Sequence, residues 1–103
     1  MIDVGIFEDA RLYRPMSGRV YRMLPIATMR GCPYSCRFCN SPTQVTLYKE
    51  ETNSKFVRKR SMDLVYKELR YFKDELNLEY AYFWADTFLA MNRRELDEFC
   101  EMY

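Results

Sequence analysis

Three cysteines, Cys32, Cys36 and Cys39, fall within eight residues, and a fourth, Cys100, follows 61 positions later. A C-x3-C-x2-C run brings three thiols onto one short loop. That clustering reads as metal ligation in a reducing compartment rather than as a disulfide framework. Thiolates suit iron–sulfur clusters, zinc and Cu(I). A cubane cluster holds four irons, so three cysteines without a local fourth ligand leave one iron open to a small molecule, which implies catalysis more than structure. The chain contains no histidine. This removes His-based zinc sites and Ser–His or Cys–His nucleophile pairs, and leaves sulfur to carry any metal chemistry.

Two uses of the loop differ in ligand count. A structural zinc site closes at four protein ligands and would need a residue such as Cys100. Cys100 instead falls with Leu96, Phe99 and Tyr103 on one helical stripe, where a free cysteine packs as a small hydrophobe. The expectation is therefore that Cys100 belongs to the core. Tyr34 and Arg37, between the cysteines, serve either loop packing or the tuning of a cluster's potential.

The elements that must position this loop are legible on both sides of it. Residues 1–20 have no steady period and form an entry segment, with Pro15 and Gly18 marking a turn. The apolar run 23–29 predicts a strand leading straight into the cysteines, with Pro25 where a strand start or a sheet edge tolerates it. Residues 40–60 read as a long loop with one β-prone stretch at 45–48. Within it Arg58, Lys59 and Arg60 are a solvated approach to the next helix and carry no assigned function. Ser61 is an N-cap, and Val65, Leu69, Phe72 and Leu76 recur at helical spacing up to a left-handed stop at Asn77. Residues 79–86, EYAYFWAD, predict a parallel strand covered on both faces, with its alternating aromatics as packing. Asp86 ends that strand, where an Asp commonly caps the following turn. Asn92 starts a second helix with Glu95 in capping-box position.

Two strands, each followed by a helix, are the repeat of an α/β barrel or a doubly wound sheet. A two-stranded sheet leaves an aromatic strand with an open edge, so further strands are expected downstream and the chain reads as a fragment. Hydrophobic residues make up 49% of the sequence, which argues for a packed core and against disorder. A formal charge of +1 gives no pull toward nucleic acid, so no nucleic-acid partner is expected. No apolar run approaches the roughly 18 residues of a membrane span, and the first ten residues lack a signal-peptide pattern, which makes a cytoplasmic location the default.

The stretch Met29-Arg30-Gly31-Cys32-Pro33-Tyr34-Ser35-Cys36-Arg37-Phe38-Cys39-Asn40 resembles the signature of radical S-adenosylmethionine enzymes: C-x3-C-x2-C with an aromatic before the last cysteine. Its flanks, including Arg58-Lys59-Arg60-Ser61, are similar to the subgroup often linked to cobalamin-binding domains. The resemblance runs from about residue 22 to the end, and makes residues 21–103 the N-terminal part of a radical core domain: about two βα units of a partial (β/α) TIM-like barrel. It implies that Cys32, Cys36 and Cys39 hold a 4Fe-4S cluster whose fourth iron is chelated by S-adenosylmethionine. Reductive cleavage would then give methionine and a 5′-deoxyadenosyl radical that acts on a small-molecule or macromolecular substrate. Phe38 would lie beside the adenine, and Asp86 with Thr87 would bind the cofactor's amino group at the strand end. Many relatives carry Gly-Gly-Glu there, whereas this chain has Ala85-Asp86-Thr87, closer to the cobalamin-linked subgroup. The implied partners are S-adenosylmethionine, a reductase such as flavodoxin or ferredoxin, and cobalamin in a longer parent. The alternative is a non-enzymatic zinc or iron–sulfur binding module.

Overall fold

The computed structural model describes residues 3–103, so the first two residues of the entry segment lie outside it. The described chain is mixed α/β. A 3-10 turn at Asp9–Leu12 leads into strands β1 (Tyr13–Met16) and β2 (Arg19–Ala27). These two pair antiparallel across a two-residue turn. Ser17 and Gly18 both take positive φ, 51° and 77°, the backbone a tight hairpin with right-handed strand twist requires. The turn signal at Gly18 is thus real, but the entry segment is structured: Val4 and Leu12 are buried in the core.

Strand β5 (Tyr80–Trp84) pairs parallel with β2, from Met23↔Tyr80 to Ala27↔Trp84, in a sheet ordered β1-β2-β5. β1 reaches only Arg22 in its pairing, so beyond that point β2 has a ladder neighbour on one side alone. Pro25 falls in this stretch, where a missing N–H is tolerated. The register sorts the two strands into faces. Leu24, Ile26, Ala81 and Phe83 point toward helix α2 (Met62–Leu76), whose Val65 and Phe72 complete the core. Met23, Pro25, Ala27, Tyr80, Tyr82 and Trp84 share the other face, and Trp84 is 60% exposed. The expected strand is therefore parallel but covered on one face only. Its aromatics alternate with the helix-facing residues rather than being buried throughout.

Helix α2 begins where expected: Ser61 Oγ accepts the Leu64 N–H at 3.4 Å, and Asn77 ends the helix at φ 52°. Helix α3 (Arg93–Met102) carries the full capping box, with Glu95 N–H to Asn92 Oδ1 at 2.9 Å and Asn92 N–H to Glu95 Oε2 at 2.8 Å. Each reciprocal bond satisfies an N–H that the helix start would leave unpaired. Two expectations fail. Residues 40–60 are not one long loop, because Ser41–Thr52 forms helix α1. None of its residues is buried, so it lacks the apolar stripe that reveals a helix in sequence. Cys100 is exposed on α3 instead of packed in the core. The stripe of α3 rests on Phe99, stacked among Phe83, Phe88 and Tyr103, and Cys100 lies one step to its side.

Candidate metal centre

The cysteine loop has a fixed root. After Ala27 the chain forms the two-residue strand β3 (Met29–Arg30), paired antiparallel with β4 (Arg58–Lys59). Thr28 and Met29 are buried, with Thr28 C=O accepting the Arg60 N–H at 2.9 Å. Gly31 follows at φ 83°, and a Cβ built on it would lie 2.5 Å from the Phe56 carbonyl oxygen. Both the left-handed backbone and the close approach demand glycine. The Gly31 N–H donates to Asp86 Oδ2 at 2.6 Å. Asp86, two residues beyond the end of β5, therefore reaches across to the loop root. The carboxylate predicted at the strand end and the cysteine loop are brought to one place.

Beyond the root the loop is open. Cys32 is half-buried, Cys36 and Cys39 are exposed, and none of them is in a disulfide. One backbone bond spans the last two cysteines, Cys39 N–H to Cys36 C=O at 3.2 Å. Cys39 leads into α1, whose N-cap, Asn40, makes no side-chain cap bond. The sulfur takes that place: Cys39 Sγ accepts the Ser41 N–H at 3.5 Å and lies 3.4 Å from Ser41 Oγ. The Ser41 hydroxyl first, and then its N–H, lower the Cys39 thiol from its ordinary range, opposed by desolvation and, least, by the charge of Asp86. A thiol at a helix N-terminus is favoured as thiolate, the form that ligates metal.

Among the described residues, no three Cys, Asp or Glu side chains converge as a group that could hold a metal ion. The fit of a cluster therefore rests on the donors: three free thiols on one irregular loop, the last pre-disposed to ionise. A comparison with family models, curated proteins and solved structures gives no match. The remaining predicted residues are placed as follows. Phe38 is 95% exposed, its ring pointing into solvent. Thr87 is half-buried, and its hydroxyl oxygen is buried without a hydrogen-bond partner. That unpaired hydroxyl next to Asp86 is a polar group suited to a ligand's donor or acceptor. Cys100 joins no ligand group.

Two residues that sequence reasoning left without a role support the root. Arg60 Nη1 donates to Ala27 C=O at 2.9 Å and to Glu68 Oε2 at 2.6 Å. Glu68 is only 1% exposed, on the same stripe of α2 as Val65 and Phe72. A carboxylate three positions after one core residue and four before another is the sequence signal that could have found it. Lys59 is also anchored, by Glu95 of α3 at 2.7 Å.

Proposed function

We propose that the chain is the N-terminal part of a radical S-adenosylmethionine enzyme, in which Cys32, Cys36 and Cys39 hold a 4Fe-4S cluster. On this reading, residues 21–103 supply the first two strand–helix units of a partial (β/α) barrel. The parallel pairing of β2 with β5, helices on one face and a bare aromatic face on the other support it. In a closed or partly closed barrel that bare face would line the interior.

The observation that carries the reading is the bond from Gly31 N–H to Asp86 Oδ2. It joins the C-terminal end of the second parallel strand to the root of the cysteine loop, the end where barrel enzymes build their sites. Bound there, the cluster would pass one electron from a reductase such as flavodoxin or ferredoxin to the sulfonium of S-adenosylmethionine, breaking its bond to the 5′ carbon to give methionine and a 5′-deoxyadenosyl radical. The chain's own residues position and bind. Asp86 keeps Oδ1 to accept an N–H of the cofactor's amino group while Oδ2 holds Gly31, and the Thr87 hydroxyl stands beside it as a second polar contact. Phe38, one residue before the last ligand, is free to fold back over an adenine. Ser41 helps hold the Cys39 sulfur in its thiolate form. A reducing cytoplasm suits four free cysteines. No helix among the described residues is long and apolar enough to cross a membrane.

Anaerobic reconstitution with iron and sulfide tests the ligand assignment. The chain should take up about four irons, as a cubane requires. Cys32→Ala, Cys36→Ala and Cys39→Ala should each abolish this, and Cys100→Ala should leave it intact. Loss of the cluster in Cys100→Ala, or tight zinc in its place, would favour a closed binding module.

A further inference from the structure

We infer that Arg60 and Glu68 form a positioning pair that aims the cysteine loop, an assignment that rests on the proposed cluster site. The pair is an unusual expense for so small a core. Glu68 is 1% exposed and Arg60 28%, and their 2.6 Å bond links helix α2 to the end of β2. A buried ion pair of this kind is weak evidence for stability, because well-packed apolar replacements are often as stable or more so. What an apolar pair cannot do is donate a hydrogen bond. Arg60 Nη1 donates to the Ala27 carbonyl at 2.9 Å, at the last residue of β2 and five positions before Cys32. Glu68 orients the guanidinium for that bond from the floor of the core.

The consequence passes along a short and otherwise rigid path. Arg60 N–H fixes Thr28, β3 pairs with β4, Gly31 fits under the Phe56 carbonyl, and Gly31 N–H meets Asp86. The direction in which β2 ends thus sets where Gly31 presents itself to Asp86, and so where Cys32 enters the cluster. Both bonds leave one nitrogen, Nη1, whose two N–H groups are held in the plane of the guanidinium and so fix the carboxylate and the carbonyl relative to each other, whereas the ammonium of lysine turns freely on its stem.

The test compares the wild-type chain with Arg60→Met/Glu68→Met and with Arg60→Lys. Amide hydrogen exchange of Gly31 is read in the metal-free chain, and electron paramagnetic resonance in the reconstituted, reduced chain. The double variant is expected to keep the wild-type circular dichroism and urea midpoint. Its Gly31 amide should exchange about tenfold faster, reporting local opening, and its cluster should show displaced g values. Arg60→Lys should move both readouts the same way by a smaller factor, and it carries the test alone if the double variant does not fold. Wild-type exchange and wild-type g values in the folded variants would overturn the assignment and leave the pair a packing feature. If the wild-type chain takes up no cluster, the cluster reading itself fails, and the Gly31 exchange rates alone decide for or against the pair.

Discussion

The root of the cysteine loop and the loop itself are adjacent in sequence and opposite in construction. From Ala27 to Gly31 nearly every residue is pinned: by Arg60 Nη1, by pairing with β4, by the Phe56 backbone and by Asp86. From Cys32 to Cys39 the side chains are exposed or half-buried, and one backbone bond spans the last two cysteines. A small domain can thus hold three thiols in the open on a rigid base. Burial and hydrogen bonding are concentrated where the chain must leave the sheet in one direction. The thiols remain on an open segment, and on the proposed reading metal binding would supply the order that protein packing does not.

Stability should therefore respond to the backbone contacts at Gly31 and Asp86, and cluster content to the loop. The largest effect on folding is expected from Gly31→Val, because a β-branched side chain at φ 83° must also displace the Phe56 backbone. The left-handed conformation alone costs roughly 1–2 kcal/mol, and the clash adds to it, so a loss of about 3 kcal/mol in urea unfolding is expected. Asp86→Ala comes next. It removes a charge-assisted bond to a buried N–H and should cost roughly 1.5–3 kcal/mol by the same measurement, with Asp86→Asn costing less.

A smaller effect lies further from the loop. Glu95 is held below the usual carboxylate range, first by the Lys59 ammonium and then by the Asn92 N–H. A lowered folded-state value means that this stabilisation is complete above the unfolded value of about 4.3 and disappears as pH falls through the folded one. Acid titration of helicity should show α3 loosening in that window, and Lys59→Met should move the midpoint upward. The smallest effect on folding belongs to Cys36→Ala and Phe38→Ala, exposed side chains whose removal should change stability by under about 0.5 kcal/mol. Cys36→Ala should nevertheless abolish iron uptake. A Cys36→Ala change that unfolds the metal-free chain would break the contrast between root and loop.

How much of this was legible in the sequence varied with the physics behind each signal. Ser61, Asn77 and the Asn92–Glu95 box gave the bounds of α2 and α3 because capping is local chemistry. The strand at 23–29 and its parallel partner at 79–86 were readable from apolar runs, and Gly18 from its turn. Helix α1 was not readable: its twelve residues carry no buried stripe, and Val45, Thr46 and Tyr48 favour strand in isolation. Pro42 and the sulfur of Cys39 start it instead. The one-sided burial of β5 was missed because aromatic strands look alike whether one face or two are covered. Cys100 was misplaced by a single helical step. At the site, spacing alone marked the three cysteines and strand position marked Asp86. The Asp86–Gly31 bond and the Arg60–Glu68 bracket are long-range contacts that no local pattern reveals, although a glutamate on an apolar stripe was a hint.

On the proposed reading, a three-cysteine cluster beside Asp86 carries an open iron. That iron is tested most directly by electron paramagnetic resonance of the anaerobically reconstituted and reduced chain, recorded with and without S-adenosylmethionine. The expected result is a 4Fe-4S signal whose g values shift when S-adenosylmethionine is added, with a weaker shift in Asp86→Ala. A signal that ignores the cofactor in both the wild-type chain and Cys100→Ala, or a chain that retains zinc and forms no cluster, would contradict it.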